Sequence, residues 1–172
     1  MGRQYWVYGV FALAVTSFAP AVRADDWDAC QNSNPDVIIF GCSATIDAGT
    51  DTKKNIAIAY NNRGIAYYNK GEYDHAIEDF DKAIALNPKS DEHHTNRGNA
   101  YDDKGEHNRA IADYGKAIAL DPKYANAYNG RGFAYERLGN GQKAETDYQK
   151  VLSLRPGDKY AIAGLQRLKA AP

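Results

Sequence analysis

A fixed repeat period runs through the sequence from residue 57 onward and limits what the chain can fold into. The stretch YNNRGIAY at residues 60–67 returns as HTNRGNAY at 94–101 and as YNGRGFAY at 128–135. Prolines keep the same step, at Pro88, Pro122 and Pro156. Self-similarity at a fixed period of this length predicts stacked repeats, because one short unit cannot bury its apolar face without neighbours.

A second block of residues recurs at the same step, downstream of the first. It is AIEDFDKA at residues 76–83, AIADYGKA at 110–117 and AETDYQKV at 144–151. A glycine stands between the two blocks of each unit, where it can adopt a left-handed turn at little cost. These glycines are Gly71, Gly105 and Gly139. Each unit is therefore predicted to be a pair of antiparallel helices joined by a glycine turn.

The spacing of small and aromatic residues resembles that of the tetratricopeptide repeat family. With repeats at 57–90, 91–124 and 125–158, the sequence fills the family's small eighth and twentieth places and its aromatic eleventh and twenty-fourth places. The small residues are Gly64, Gly98, Gly132, Ala76, Ala110 and Ala144, and the aromatic ones are Tyr67, Tyr101, Tyr135, Phe80, Tyr114 and Tyr148. The resemblance implies an all-α fold, a right-handed α–α superhelical solenoid of three helix pairs. It also implies that the first helix of each pair, helix A, lines the concave face.

The first residues have the composition and order of a secretory signal peptide, predicted over residues 1–24. Arg3 supplies a positive end, residues 6–18 form a mostly apolar run without charge, and small residues lead to Ala24. The alternative is a retained membrane anchor, but a spanning helix needs about 20 apolar residues. We therefore expect a periplasmic or secreted protein with no stable membrane insertion after cleavage of the signal.

Residues 25–56 are predicted to cap the N-terminal end of the stack as half a repeat. The stretch up to Asn34 is polar and is expected to be irregular, and Asn34 followed by Pro35 suits the start of a helix. This helix is expected over residues 36–48, and a polar link at 51–55 leads to the first repeat. The apolar contacts of the helix at 36–48 are expected to come from Val37, Ile38, Phe40 and Ile46.

The other end of the stack is predicted to be covered by a capping helix within residues 159–172. Asp158 is placed to cap the start of this helix, which would run to about Leu168. Ile162 and Leu165 are expected to point inward. A polar outer face on such a terminal helix is what a stack of repeats requires.

Cys30 and Cys42 are the two cysteines of the chain. An even cysteine count in an exported protein favours a disulfide, which would hold the N-terminal segment onto its capping helix. A buried free thiol or a redox pair remains the alternative. The spacing matches neither a Cys-x-x-Cys motif nor a zinc-binding pattern.

One departure from the family pattern is systematic, because arginine holds the seventh place of every repeat, which is usually apolar. An aspartate follows each arginine sixteen residues later. A buried arginine without a partner would be very costly, so we expect a structural ion pair within each repeat. The alternative is an arginine-lined groove that binds an anion. The expected pairs are Arg63 with Asp79, Arg97 with Asp113, and Arg131 with Asp147.

The resemblance implies that an asparagine at the sixth place of helix A clasps the backbone of a peptide ligand. That place holds Asn62, Asn96 and then Gly130, so the series is interrupted. An amide offers a donor and an acceptor, as an extended backbone needs, but it could equally bond neighbouring helices. The further peptide-binding candidates are Asn61, Ile65, Tyr68, Asn99, Asp102, Asn129 and Phe133.

The charge of the expected groove bears on its partner. The basic residues by which some family members clamp a C-terminal carboxylate are absent, since Asn61 and Ile65 stand at those places. An acidic cluster of Glu92, Asp102 and Asp103 would suit a basic or neutral segment better. The alternative is that this cluster is simply a solvent-exposed charged face.

Several function classes find no support in the sequence. A formal net charge of −1 gives no basis for nucleic-acid binding. No metal site, cofactor motif or catalytic group is expected, since the four histidines lack ligand spacing. The sequence therefore predicts a non-enzymatic interaction module of the cell envelope whose groove binds a peptide or helix of an unknown protein. The alternative is a self-associating scaffold, a homo-oligomer with no groove ligand.

Overall fold

The computed structural model describes residues 24–170, and that part of the chain is all helical. The predicted signal peptide lies outside the described residues except for Ala24. The helices are α1 (Ala24–Cys30), α2 (Pro35–Ala48), α3 (Lys53–Asn69), α4 (Tyr73–Leu86), α5 (Asp91–Asp103), α6 (His107–Leu120), α7 (Ala125–Arg137), α8 (Gly141–Leu154) and α9 (Lys159–Ala170).

The helices form antiparallel pairs that stack in sequence order. Within the repeats, α3 packs on α4, α5 on α6 and α7 on α8. The second helix of each pair also packs on the first helix of the next, and α8 packs on α9 in the same way. This arrangement is the superhelix of helix pairs predicted from the repeat period.

Glycine is required where the first helix of each repeat, helix A, meets the second, helix B. A Cβ atom on Gly64 would lie 2.7 Å from the ring of Phe80, which is fully buried. No larger residue fits unless the ring moves, so the missing Cβ sets the separation of α3 and α4. The same contact recurs at 2.8 Å between Gly98 and Tyr114 and at 2.9 Å between Gly132 and Tyr148.

The N-terminal segment corrects the prediction of an irregular stretch before Asn34. Residues 24–30 form helix α1, which packs on α2 and α3, so the cap is a short helix pair rather than one helix. Gly41 of α2 explains how α1 is held. A Cβ atom there would lie 2.5 Å from the Cβ of Ala29 and 2.6 Å from the amide nitrogen of Cys30. The backbones of α1 and α2 therefore touch, which the local composition did not reveal.

The sulfur atoms of Cys30 and Cys42 are 2.00 Å apart, and both residues are buried. Cys30 lies one full repeat period before Gly64, and Cys42 lies the same step before Ala76. Gly64 and Ala76 are the small places at which α3 and α4 approach each other. The disulfide therefore joins the corresponding places of α1 and α2, where two helices come closest.

Only some of the apolar residues of α2 make the packing contacts that were predicted for them. Ile38 and Ile46 pack against the disulfide, as an inward apolar side requires. Val37 is partly exposed and Phe40 is 70% exposed, so these two side chains point away from the stack. Phe40 lies two residues from Ile38, and residues two apart do not share a helix face.

Helix α3 begins earlier than predicted, at Lys53, and the polar link before it is correspondingly shorter. The hydroxyl oxygen of Thr52 accepts a hydrogen bond from the amide of Asn55 at 3.1 Å, which caps the added turn. Asn55 also donates through its side chain to Asp51 Oδ1 at 2.7 Å. The polar residues taken for a link therefore form the N-terminal cap of α3.

Helix α9 is capped by Asp158, whose Oδ1 accepts from the amides of Tyr160 and Ala161 at 3.1 Å each. Ile162 does not point inward as predicted, since it is partly exposed. The buried residues of α9 are Ala161 and Gly164 instead. Small residues are needed there because the ring of Tyr148 occupies the space beside Gly164.

Candidate functional site

Each repeat contains an arginine–aspartate pair between its two helices. Arg63 donates from Nε to Asp79 Oδ2 at 2.7 Å and from Nη2 to Asp79 Oδ1 at 2.8 Å. These hydrogen bonds raise the pKa of the Arg63 guanidinium and compensate for the burial of the Asp79 carboxylate. Arg97 pairs in the same way with Asp113, and Arg131 with Asp147. The arginines therefore bridge helices rather than line a groove.

A groove with a volume of about 600 Å³ lies along helices α5, α7 and α9 and is bordered by Tyr68 of α3. Most of the predicted peptide-binding residues line it, namely Tyr68, Asn96, Asn99, Asp102, Asn129 and Phe133. It is centred on the second and third repeats and on α9. A volume of this size is within the range of pockets that hold small ligands or side chains of a partner.

The candidates on α3 lie mostly outside this groove. Asn62 donates from its amide to the carbonyl oxygen of Cys30 at 3.3 Å. Asn61 is buried, and its Oδ1 accepts from the amide of Asn96 at 3.0 Å. Ile65 packs with the buried cluster around Phe80. The amide hydrogens of Asn62 and Asn96 thus connect the first helices of neighbouring pairs, α3 to α1 and α5 to α3, which was the alternative interpretation of these asparagines.

The interruption of the asparagine series at Gly130 has a steric cause. A Cβ atom on Gly130 would lie 2.5 Å from Cζ of the Tyr114 ring and 2.9 Å from its hydroxyl oxygen. That hydroxyl donates to Asn99 Oδ1 at 2.7 Å, on the wall of the groove. Burial raises the pKa of Tyr114 well above its ordinary value, so the phenol stays protonated and acts as the donor.

Two adjacent carboxylates mark one end of the groove. Asp102 is only 4% exposed, and its Oδ1 lies 2.6 Å from Nδ1 of His107. Asp103 is exposed and accepts a hydrogen bond from the Tyr68 hydroxyl at 2.5 Å. Burial of Tyr68, followed by this hydrogen bond to Asp103, raises the pKa of the phenol. Of the predicted acidic cluster, Asp102 and Asp103 therefore line the groove, whereas Glu92 is exposed and lies outside it.

At the opposite end of the groove the charged side chains of Arg167 and Glu136 are paired with each other. Arg167 of α9 donates to both carboxylate oxygens of Glu136, at 2.7 and 2.9 Å, and the Tyr148 hydroxyl donates to Glu136 Oε2 at 2.8 Å. These bonds, that from Arg167 above all, hold the pKa of Glu136 below its usual value. The guanidinium groups of Arg137 and Arg167 lie 4.8 and 5.7 Å from the centre of the Phe133 ring.

Two polar atoms at the groove have no hydrogen-bond partner within the described part of the chain. Thr95, which is 3% exposed, has an unpaired hydroxyl, and Oδ1 of Asn129 is also unpaired. Nδ2 of Asn129 donates to Asp158 Oδ1 at 3.2 Å, which fixes the orientation of that amide. Buried polar atoms are nearly always hydrogen-bonded in folded proteins, so these two await a partner.

Comparison with known proteins bears on the family of the chain. A tetratricopeptide repeat model matches residues 57–90 and 125–158, a second one matches 80–112, and a TPR repeat model matches 98–139. The second TPR domain of human RPAP3, solved in complex with the HSP70 peptide SGPTIEEVD, is 33% identical to this chain. That likeness covers 69% of this chain and 98% of that domain, with a TM-score of 0.66. The chain belongs to the tetratricopeptide repeat family.

Two further solved tetratricopeptide structures are similar to the chain. The first TPR of Spaghetti (RPAP3), bound to the HSP90 peptide SRMEEVD, is 32% identical, covers 70% of this chain and 94% of that chain, and has a TM-score of 0.66. MamA is 26% identical and covers 87% of this chain and 85% of that chain, with a TM-score of 0.75. A search of curated protein sequences finds no significant match.

Some residues of this tetratricopeptide groove escaped the sequence analysis. They are Thr95, Tyr114, Gly130, Tyr160 and Arg167. Tyr114 and Gly130 could have been found from one signal in the sequence. The signal is the type of residue that stands sixteen positions after the aromatic twenty-fourth place of each repeat. Phe80 is followed by Asn96, whereas Tyr114 and Tyr148 are followed by Gly130 and Gly164. A tyrosine at this place therefore goes with glycine on the facing helix, and its hydroxyl reaches the groove.

The described residues of the tetratricopeptide stack include neither a candidate metal cluster nor a candidate membrane span. Between residues 24 and 170, no group of three or more His, Cys, Asp or Glu side chains is placed to hold a metal ion. Across the same residues, no helix has both the length and the apolar character needed to cross a bilayer.

Proposed function

We propose that this tetratricopeptide protein is a non-enzymatic interaction module of the cell envelope. Its groove along α5, α7 and α9 holds an extended peptide segment, or a helix, of another protein. The observation that carries the proposal is the unpaired Thr95 hydroxyl and Asn129 carbonyl in a groove walled by tyrosine and asparagine. Both oxygen atoms are buried in the wall of the groove, so an extended backbone would satisfy them after neighbouring side chains move.

The similar solved structures support a peptide partner of some kind. Two of them hold short peptides of HSP70 or HSP90, with the sequences SGPTIEEVD and SRMEEVD. Both peptides are acidic near their C-terminal end. In this chain one end of the groove bears Asp102 and Asp103, which would repel such a segment. We therefore place this protein's partner in a different chemical class from those peptides.

The envelope location is part of the same proposal. It rests on the signal-like composition of residues 1–24 and on the pairing of Cys30 with Cys42, which suits an oxidising compartment. A fusion of residues 1–24 to a reporter that is active only after export tests it. Export is supported if the fusion is active and loses its activity when a charged residue is placed in the apolar run. Export is contradicted if the fusion stays in the cytoplasm and is inactive.

Selection and titration test the groove directly. Random dodecapeptides displayed on phage would be selected on the purified protein, and an enriched peptide titrated by calorimetry. Ala163 lines the groove, so Ala163→Trp should fill it and weaken binding at least tenfold. Gln166 lies on the same helix but outside the groove, so Gln166→Trp should bind like the unmodified protein. Equal binding by both variants, or no enriched peptide, would contradict the groove proposal.

The second candidate function is a self-associating scaffold, and the observation that favours it is the exposed outer face of α2. Phe40 is 70% exposed there, beside a partly exposed Val37. A single exposed aromatic residue is common on monomers, so this observation is weaker than the unpaired atoms of the groove. Light scattering of the protein and of its Phe40→Ser variant tests it. An oligomer that dissociates in the variant supports the scaffold, and a monomer in both contradicts it.

A further inference from the structure

Asp102 differs from the other buried aspartates of the repeats. Asp79, Asp113 and Asp147 each receive two hydrogen bonds from an arginine of their own repeat. Asp102 is as deeply buried but has only the imidazole of His107, and no lysine or arginine among the described residues forms an ion pair with it. Burial of a carboxylate is costly unless it is paired, and the partner of Asp102 is an imidazole, which is a countercharge only when it is protonated.

The position of Asp102 and Asp103 in α5 adds to that deficit. Both residues belong to the last turn of the helix, which ends at Asp103. The carbonyl groups at a helix C-terminus carry partial negative charge and disfavour anions nearby, although here those of Ala100, Tyr101 and Asp102 accept backbone hydrogen bonds from the following turn. Two carboxylates and a helix C-terminus therefore concentrate negative potential at one end of the groove. A positive group bound there would relieve all three.

Some polar atoms in the rest of the groove are acceptors. Oδ1 of Asn129 can only accept a hydrogen bond, and the Thr95 hydroxyl, which is 3% exposed, can accept one. The amide hydrogens of Asn96 are directed to Asn61, and Arg167 is held by Glu136. Arg167 is the arginine that lines the groove, and its pairing with Glu136 leaves the lining without an unpaired cation that would repel a positively charged ligand.

We propose that the groove selects segments that carry a lysine or arginine, whose cation binds at the end of the groove that Asp102 and Asp103 line. In this arrangement the side chain lies beside Tyr68, which already bonds Asp103. This inference rests on the proposed peptide-binding function and adds the chemical class of the partner.

Peptide pools of defined charge provide the test. Each pool contains acetylated and amidated hexapeptides with one fixed residue, Lys, Arg, Gln or Glu, and random residues elsewhere. Binding of each fluorescent pool to the immobilised protein is measured at low and at high salt. We expect the Lys and Arg pools to bind about tenfold better than the Gln pool, with the Glu pool weakest and the preference reduced by salt.

Two variants assign the preference to the carboxylates. Asp103→Asn and the double variant Asp102→Asn, Asp103→Asn should lose most of the advantage of the cationic pools while they still bind the Gln pool. The exposed Asp103 can be changed without disturbing the buried Asp102, so the single variant keeps the test valid if the double variant unfolds. The matched control, Asp28→Asn with Asp47→Asn, removes the same charge at the N-terminal cap and should keep the preference.

The outcomes separate this inference from the function on which it rests. If all pools bind equally, or if the cationic preference survives in both carboxylate variants, the proposed partner class is wrong and the peptide groove stands. If no pool binds at any salt concentration, both the groove function and the partner class are overturned. Loss of the preference in the Asp28→Asn, Asp47→Asn control would show that it reflects overall charge, which also overturns the inference.

Discussion

The ring of Tyr114 occupies the space that a side chain at residue 130 would need, with its Cζ atom 2.5 Å from the Cβ position of Gly130. Gly130 stands on the helix that follows Tyr114 in the stack, so this contact joins the second repeat to the third. It also delivers the Tyr114 hydroxyl to Asn99 on the groove wall. One glycine therefore serves both the packing of repeats and the shape of the groove.

A methyl group at residue 130 should destabilise the protein. Gly130→Ala forces the buried Tyr114 ring to move, and overpacking of this kind costs about 1–3 kcal/mol in the free energy of unfolding. Gly115→Ala is the matched control, because a Cβ there meets nothing within 4 Å and helical alanine is favoured by about 1 kcal/mol. Urea unfolding measures both changes. Equal effects of the two substitutions would show that the Tyr114 contact is not limiting.

Removal of Arg97 should destabilise the second repeat. Arg97→Ala leaves the buried Asp113 without the guanidinium that lies 2.6 and 2.7 Å from its oxygens. We expect a loss of about 3 kcal/mol, the lower end for a broken buried pair, because the arginine is partly exposed. Thermal or urea unfolding measures it. The exposed Arg109 pairs with Glu106, and Arg109→Ala should change stability little.

A double-mutant cycle separates the pair from its surroundings. Asp113→Ala alone removes the buried charge, and the double variant Arg97→Ala, Asp113→Ala removes both partners. Because an unpaired buried aspartate causes most of the loss, the double variant should be more stable than the sum of the single losses suggests. Additive losses would mean that Arg97 acts through packing of its alkyl chain instead.

Reduction of the Cys30–Cys42 disulfide should weaken the N-terminal cap before the rest of the stack. The bond closes a loop with a sequence separation of 12 residues, for which the chain-entropy model gives about 3 kcal/mol. Hydrogen exchange with and without a reductant measures the effect by region. We expect faster exchange in α1 and α2 and little change in α7 and α8, because repeats contact only their neighbours. Uniform acceleration along the chain would contradict this local role.

The repeats could be predicted from the sequence because their constraints recur. The glycine at residue 64 and the alanine at residue 76 follow from close approach of two helices, and the period repeats that demand. The pairing of Arg97 with Asp113 follows from the cost of burying one charge alone. Such rules act within one repeat, so a local pattern is enough to reveal them.

The N-terminal cap and the groove depend on contacts between repeats, which no local pattern records. Helix α1 is too short to show an apolar period. The sequence marks Cys30 as part of a repeat only because Cys30 lies one repeat period before Gly64. The family pattern places Asn62 in the groove, but α1 supplies the carbonyl of Cys30 as its acceptor. Acidic residues at helix ends are usually exposed, yet the groove wall buries Asp102.

Mild acid should destabilise the protein through His93. Burial lowers the pKa of this imidazole, and the nearby Glu92 only partly opposes that shift. In the unfolded chain the histidine takes up its proton near pH 6.5, whereas the folded protein takes it up only at lower pH. The unfolded state therefore binds more protons below pH 6.5, and stability that is complete above this value falls as the pH drops. Urea unfolding at pH 7.5 and 5.5 measures the loss. His93→Gln should reduce this loss of stability, whereas His75→Gln, at an exposed site, should leave it unchanged. If the loss is the same in His93→Gln as in the unmodified protein, the acid sensitivity belongs to other groups.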